Sequence, residues 1–477
     1  MKLDPKTCYQ ALLDRSPRFD GFFFVGVSTT GIYCRPICPA KTPRQSNCLF
    51  FPSPAAAEAA GYRPCLRCRP ELAPGASSLE AGARLAETAA ALIEDGALTQ
   101  GGIGALAERL GVSARHLRRV FQAEFGASPI QYAQTQRLLS AKRLLAESSL
   151  PVTEIAFCSG FSSLRRFNAV FREKYRLSPS GLRKKAAGKK ADAPVFQLGY
   201  RPPLDWEGLL GFLGQRAIAG VEETEGKTYR RIIRLKRKEE ERTGWIEVGP
   251  AAEGNALAVK IDPRLASLAP AVLLRVKRLF DLSCDPHRVN AILGELAVAN
   301  PGLRPPGAMD GFELAVRAVL GQQVSVKSAR TLAARFAATF GTPVDSPFPG
   351  INIAFPGPET TARLARDDIG RLGIISRRAL TIIALAKRMQ SGALRLEPGG
   401  DALRDIQALL DIPGIGPWTA QYIAMRALSW PDAFPDSDYG VLKALNETKP
   451  AQARKTAEKW RPWRSYAVMH LWASLKG

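Results

Sequence analysis

The 477-residue chain contains no run of some eighteen consecutive apolar residues, so no segment is expected to cross a bilayer as a helix. Its opening stretch, MKLDPKTCYQALLD, lacks a basic region followed by an apolar core. No secretory signal is expected there, and the protein is read as cytoplasmic with no membrane partner. Acidic residues are outnumbered: 44 Asp and Glu stand against 67 Lys and Arg, a net charge of +23. Such an excess favours a polyanionic partner through counterion release and electrostatic steering. A merely soluble basic protein and a membrane-surface binder are the competing explanations, and motifs have to decide between them. Histidine is scarce too. His116 reads as a surface or backbone contact, whereas His287 and His470 lack a partner pattern and read as structural.

Cysteine is present in a telling distribution. Of eight cysteines, Cys34, Cys38, Cys48, Cys65 and Cys68 crowd into one short stretch, while Cys8, Cys158 and Cys284 are scattered. With no signal for export, clustering points to metal rather than disulfides. The length predicts about three domains. Composition shifts place linkers at Pro70–Ser78 and Arg183–Pro194. The segments VFQLGY, TYRRIIRL, GWIEV and ALAVKI alternate like strands. From about Met309 the pattern is almost wholly helical, with a Pro/Gly-rich loop from Gly341 to Pro358. The fold class expected is multidomain, mainly α with α/β parts.

Three residues separate Cys34 from Cys38, and two separate Cys65 from Cys68. Two close pairs are what tetrahedral zinc needs from a small fold, and the ion would supply much of the module's stability. Cys48 breaks the two-pair symmetry and is left out as a non-ligand. The stretch TTGIYCRPICPAK, followed by AAGYRPCLRC, resembles the N-terminal domain of the Ada alkylation-response family. That resemblance implies that Cys34 is a zinc-bound thiolate accepting a methyl group from a DNA methylphosphotriester. Cys38, Cys65 and Cys68 would be the other ligands. Four thiolates on Zn²⁺ carry a formal charge of about −2, and methylating one leaves about −1, so the modified site would bind DNA phosphates more tightly. A purely structural zinc staple is the alternative. Arg35, Lys41, Arg44, Arg63, Arg67 and Arg69 are available to hold the backbone.

The stretch IGALAERLGVSARHLRRVFQAEFGASP is echoed by VTEIAFCSGFSSLRRFNAVFREKYRLSP. Ala107 matches Ala156 and Gly111 matches Gly160. After a one-residue insertion Leu117 matches Phe167, Phe121 matches Phe171 and Pro129 matches Pro179. A small residue where two helices cross and a glycine at the turn are helix-turn-helix features. The duplicated pair resembles the AraC-type DNA-binding domain. Arg115, Arg118 and Arg119 in one reading helix, and Arg165 and Arg166 in the other, are the candidate DNA contacts.

The segment LLDIPGIGPWTAQYIAMRAL reads as helix, tight turn, helix. Gly414 and Gly416 permit a turn whose amides face a phosphate at a helix start. Asp438 follows Trp418 by twenty residues, in FPDSDYGVLKAL. With LGQQVSVKSAR and KWRPWRSYAVMHLW, these motifs resemble the AlkA type of 3-methyladenine glycosylase from about Val195 onward. That resemblance implies that Asp438 is the catalytic carboxylate and that Trp418, Tyr422 and Trp472 line a pocket for a flipped base. An electron-rich aromatic cage favours a cationic alkylated purine. Helix N-capping by Asp438 is the bland alternative, Asp436 is a nearby rival, and core packing is the alternative for the aromatics. Trp418 stands where lyase-type members carry a lysine, which implies a monofunctional hydrolase. Gln323 occupies the place of the residue that fills the gap left by the flipped base, apolar in the best-known members.

The expected organisation is therefore a zinc-binding methyl-acceptor domain at 1–76 and a double helix-turn-helix at 80–185. An α/β domain at 194–305 and a helix-hairpin-helix glycosylase domain at 306–477 complete it. The cofactor expected is Zn²⁺. Partners expected are double-stranded DNA, alkylated and at promoter sites, and RNA polymerase as a further candidate, with the chain acting as a monomer. The competing reading is a transcriptional regulator whose C-terminal block only binds DNA. A direct-reversal enzyme for alkylated guanine is rejected, because no cysteine sits in a P-C-H-R motif.

Overall fold

A computed structural model describes residues 4–73, 81–94, 96–185, 193–237 and 240–475. Residues 74–80 and 186–192, on which most of both expected linkers fall, lie outside the described residues. The chain forms two compact units. One comprises Met1–Pro202, Ala251–Leu274 and Leu282–Asp285; the other comprises Pro203–Pro250, Arg275–Asp281 and Pro286–Gly477. Among the described residues no helix is long and apolar enough to cross a membrane.

The first unit begins with a small four-stranded sheet in the order Cys48–Phe51, Phe24–Val27, Ile32–Cys34, Arg63–Pro64. Its first three strands pair antiparallel and the last joins in parallel. Next come the two helical repeats. Helices Ile103–Arg109 and Ala114–Phe125 form the first, and Val152–Cys158 and Leu164–Tyr175 the second. Gly111 and Gly160 take φ of +68° and +88° at the matched turns, which is why glycine stands there. Ser113 and Ser163 cap the two reading helices by accepting from the amides of His116 and Arg166. The nineteen-residue helix Pro129–Glu147 joins the repeats and starts in a Ser128/Gln131 capping box. Strands Val195–Gly199 and Ala256–Ile261 pair antiparallel in the same unit.

The sheet module is bolted to the joining helix and to helix Ala114–Phe125 by buried polar contacts. Lys142, 3% exposed, donates to Glu71 Oε2 at 2.6 Å and to Cys65 O at 3.3 Å. Arg69 pairs with Glu147, Arg143 donates to Glu71 O, and Ser53 Oγ donates to Phe125 O at 2.6 Å. Glu58 is buried between Tyr33 and Thr135, whose hydroxyls donate to it at 3.0 and 2.9 Å.

In the second unit, strands Glu222–Glu225, Thr228–Arg237 and Glu240–Pro250 form an antiparallel set. The first of these was not expected, because EETE carries no apolar alternation. From Gly311 onward the unit is helical, as expected, although the Gly341–Pro358 loop contains a short strand pair, Thr342–Pro343 with Ile353–Ala354. A buried charge network joins strand to helix: Arg231 bridges Glu222 and Glu313, and Arg317 donates to Glu222 at 2.6 Å and Glu313 at 3.1 Å.

Burial pushes the Glu58 carboxyl up to about 7, against the opposing hydrogen bonds from Thr135 and Tyr33. A carboxyl raised in the folded state is more protonated there than in the unfolded chain, so its contribution is full below the unfolded value near 4.5 and declines as pH rises to about 7. The loss is on the order of 3 kcal/mol. Glu58→Gln is expected to flatten this dependence and to stabilise the first unit at neutral pH, measured by urea unfolding at pH 5 and pH 8.

Candidate functional site

Two sites emerge, one in each unit. In the first, strand Ile32–Cys34 and the turn after it present Cys34 and Cys38, and strand Arg63–Pro64 leads into Cys65 and Cys68. Pairing of these two strands brings the cysteine pairs together, and all four sulfurs lie within 4.8 Å of one another. Four sulfurs about 2.3 Å from one zinc ion stand roughly 3.8 Å apart, so the constellation fits Zn²⁺. Hydrogen bonding among the sulfurs, first with Cys38, drives the Cys34 thiol up, and hydrogen bonding with Cys34 drives Cys65 down. Thiols this close together give up protons when they close on a metal. Cys48 is not in the group; its thiol donates to Arg44 O.

The four sulfurs are not equivalent. The backbone amide of Arg35 donates to Cys68 Sγ and that of Arg67 to Cys65 Sγ, each at 3.4 Å. Cys34 is the least buried of the four, and among the described residues a backbone N–H donates to the sulfurs of Cys65 and Cys68 but not to that of Cys34. Arg35 is not a free basic contact: it is buried, and its Nε donates to Asp20 at 2.8 Å. Arg69 is likewise engaged, by Glu71 and Glu147. In the helical repeats, Arg115, Arg118, Arg119, Arg165 and Arg166 are exposed, while Leu117 and Phe167 on the same helices are buried. One face of each reading helix is thus basic and open.

The second site centres on Asp438. Its Oδ1 accepts from Trp472 Nε1 at 2.8 Å and from the amide of Val441 at 3.0 Å. Its Oδ2 accepts from Trp418 Nε1 at 2.8 Å. Capping helix Tyr439–Ala444 and binding two indoles are therefore done by one side chain. Asp436 is occupied elsewhere, accepting from Arg454 Nε at 2.8 Å. Trp418 and Tyr422, four residues apart on helix Pro417–Arg426, stack at 5.4 Å with planes 9° apart. Tyr422 lies 6.4 Å from Trp472. Trp418, Tyr422, Trp472 and Asp438 are all half-buried, which departs from ordinary core packing.

Sequence reasoning missed three residues here. Phe212 stacks on Trp472 at 6.3 Å, Arg216 lies 3.8 Å over Phe212, and Arg426 lies 4.9 Å from it. Arg426 also donates to Tyr422 OH at 2.9 Å. Burial would raise the Tyr422 phenol, but the charges of Arg426, Arg216 and Arg317 outweigh it and hold the phenol below its usual range. The i, i+4 spacings of Tyr422 with Arg426 and of Phe212 with Arg216 were readable signals; Phe212 sits over two hundred positions from Trp472 and Arg426, and no pattern in the sequence links them. Gly414, at φ +94°, is packed against Thr381, whose hydroxyl donates to Pro413 O at 2.8 Å, and Gly416 is exposed beside it. Gln323 is exposed at φ +52°, in the loop between helices Gly311–Leu320 and Val326–Phe340.

Family models match along the chain: the metal binding domain of Ada at 7–71, a helix-turn-helix domain at 106–185, the AlkA N-terminal domain at 195–310, and the HhH-GPD superfamily of base excision DNA repair proteins at 316–463. A Mycobacterium tuberculosis protein named "probable bifunctional transcriptional activator/DNA repair enzyme AlkA" is 40% identical over 490 residues, covering 99% of this chain and 97% of its own. DNA-3-methyladenine glycosylase 2 of Escherichia coli is 39% identical over 58% of this chain and 96% of its own. Among solved structures, a 3-methyladenine DNA-glycosylase from Archaeoglobus fulgidus aligns at TM-score 0.50 and 20% identity over 59% of this chain and 98% of its own, a likeness of fold.

Removing the metal with a chelator is expected to destabilise the helical repeats along with the cysteine module, since Lys142 and Arg143 tie them together. A thermal melt of the full chain should show a lower first transition, by at least about 5 °C, restored by added zinc. An unchanged melt would mean that the cysteines carry no structural ion.

Proposed function

Because the chain belongs to the family of bifunctional transcriptional activator/DNA repair enzymes AlkA, we propose that it excises alkylated bases such as 3-methyladenine from DNA by monofunctional hydrolysis and senses backbone methylation through Cys34. The observation that carries the excision reading is the carboxylate of Asp438, held among half-buried aromatic rings by two indole N–H groups. Trp418, Tyr422, Trp472 and Phe212 supply π faces for an extruded base, cationic when alkylated. Asp438 stabilises the positive charge that develops on the sugar as the glycosidic bond breaks; the base leaves with the bonding electrons, and a water adds to the sugar carbon and gives up a proton to solvent. The indoles fix the carboxylate in place before the reaction rather than during it. The hairpin amides at Gly414 and Gly416 grip a phosphate, and Gln323 fills the vacated stack.

For the sensor, bound zinc supplies the charge that keeps the sulfurs deprotonated at neutral pH. Amide donors lower the electron density of Cys65 and Cys68, and Cys38 is buried, which leaves Cys34 as the most accessible nucleophile free of an amide donor. Its sulfur bonds to the methyl carbon while the phosphate oxygen departs with the electron pair of the broken C–O bond. The exposed arginines Arg115, Arg118, Arg119, Arg165 and Arg166 then hold promoter DNA. Contact with RNA polymerase, action as a monomer and a cytoplasmic location belong to the same proposal.

Asp438→Asn retains an oxygen for the Val441 and Trp472 donors but sets an amide N–H against the Trp418 indole. It is expected to lower 3-methyladenine release from duplex DNA by roughly 100-fold or more while DNA binding persists. Equal release by both proteins would remove Asp438 from the chemistry; no release by either would favour a C-terminal block that only binds DNA. Cys34→Ser is expected to abolish transfer of radiolabelled methyl from methylphosphotriester DNA to the protein and to leave base release unchanged.

A further inference from the structure

The loop that bears Gln323 is five residues long, from Gly321 to Ser325, between two helices. Gln323 is exposed and left-handed at φ +52°, a backbone that glutamine adopts only where its surroundings hold it. The residue before it supplies that hold. Gln322 Nε2 donates to Gly414 O at 2.9 Å, in the hairpin turn, and to Thr419 Oγ1 at 3.0 Å, in the first turn of helix Pro417–Arg426. Its own carbonyl accepts from Arg378, on helix Ser376–Gln390. The neighbouring turn carbonyl, Pro413 O, is taken by Thr381 of that same helix. Both turn carbonyls are thus drawn inward, which leaves the amides of Gly414 and Gly416 to face a phosphate.

We propose that Gln322 is the positioning residue that sets the gap-filling residue, the phosphate-gripping turn and the helix carrying Trp418 and Tyr422 in one register, so that phosphate capture and base extrusion occur as a single rigid event. The proposal rests on the excision reading and adds to it a residue that touches neither base nor phosphate. The chain of contacts is short: Gln323 is covalently next to Gln322, Gln322 bonds Thr419, Thr419 is next to Trp418, and Trp418 donates to Asp438. Gln323 is polar and gains little from wedging into stacked bases, so extrusion depends on placing it accurately rather than on apolar insertion. A side chain of the same length without the amide donor would leave the loop free to move against the turn.

The test compares the parent with Gln322→Met, which keeps length, and with Thr419→Val, which removes only the contact at the helix start. Extrusion is read by 2-aminopurine fluorescence next to 3-methyladenine in a duplex, independently of bond cleavage. Base release is measured from that duplex with thymine opposite and from one with an abasic-site analogue opposite, where the lesion is already unpaired. Extrusion and release from the thymine duplex should fall roughly tenfold in either variant, while release opposite the abasic analogue stays within about threefold of the parent. Equal losses on both duplexes, or no loss of extrusion in either variant, would overturn the proposal. A parent that extrudes but releases no base would sink the excision reading alone, with the fluorescence comparison still deciding on Gln322.

Discussion

A carboxylate taken out of water stays ionised only where donors meet it at hydrogen-bond distance, and both units are organised around that constraint. In the second unit Glu222 and Glu313 share Arg231 and Arg317, two charges of each sign, all in the region where the sheet meets helix Gly311–Leu320. That helix ends at the Gln322–Gln323 loop. In the first unit Glu71 meets Lys142 and Arg69, and the same lysine reaches the carbonyl of Cys65. Removing one partner of such a network strands another charge in a dry place, which typically costs about 3–5 kcal/mol. The relative placement of strand and helix is therefore fixed by ion pairs, and with it the placing of the side chains beyond.

The two sites solve related problems by different means. At the cysteines a dense group of sulfurs is differentiated by backbone amides and burial: Cys65 and Cys68 receive amides, Cys38 is buried, and Cys34 is the most exposed. At Asp438 the donors are indole N–H groups, so the residues that present π faces also hold the carboxylate. Asp438 being both a cap and an indole acceptor resolves a choice between capping and chemistry: one oxygen serves the helix, and the other is free of backbone.

Much of the fold was legible because it follows from periodicity and punctuation. The repeat Ala107/Gly111 and Ala156/Gly160 announces two helix-turn-helix units, since a small crossing residue and a left-handed glycine leave few alternatives. Strand Glu222–Glu225 was hidden, because its residues earn their place by pairing with Arg230 and Arg231 and not by burying apolar faces. Arg35 and Arg69 read as free basic residues in sequence; their carboxylate partners are brought in by the fold, and Asp20 and Glu147 give no hint of that from their positions.

The sequence by itself determined the cysteine spacing that fits zinc, the duplicated helical pair, the hairpin glycines and the Trp418–Tyr422 helix face, because each is a local pattern set by ligand geometry, turn conformation or the 3.6-residue helical period. Only the tertiary structure decided which donors reach Asp438, that Asp436 is bound to Arg454, that Phe212 and Arg216 stand beside Trp472, and that Gln322 joins three elements. Hydrogen bonds and ring contacts between residues far apart in the chain depend on where packing places whole helices, and no short stretch of sequence encodes that.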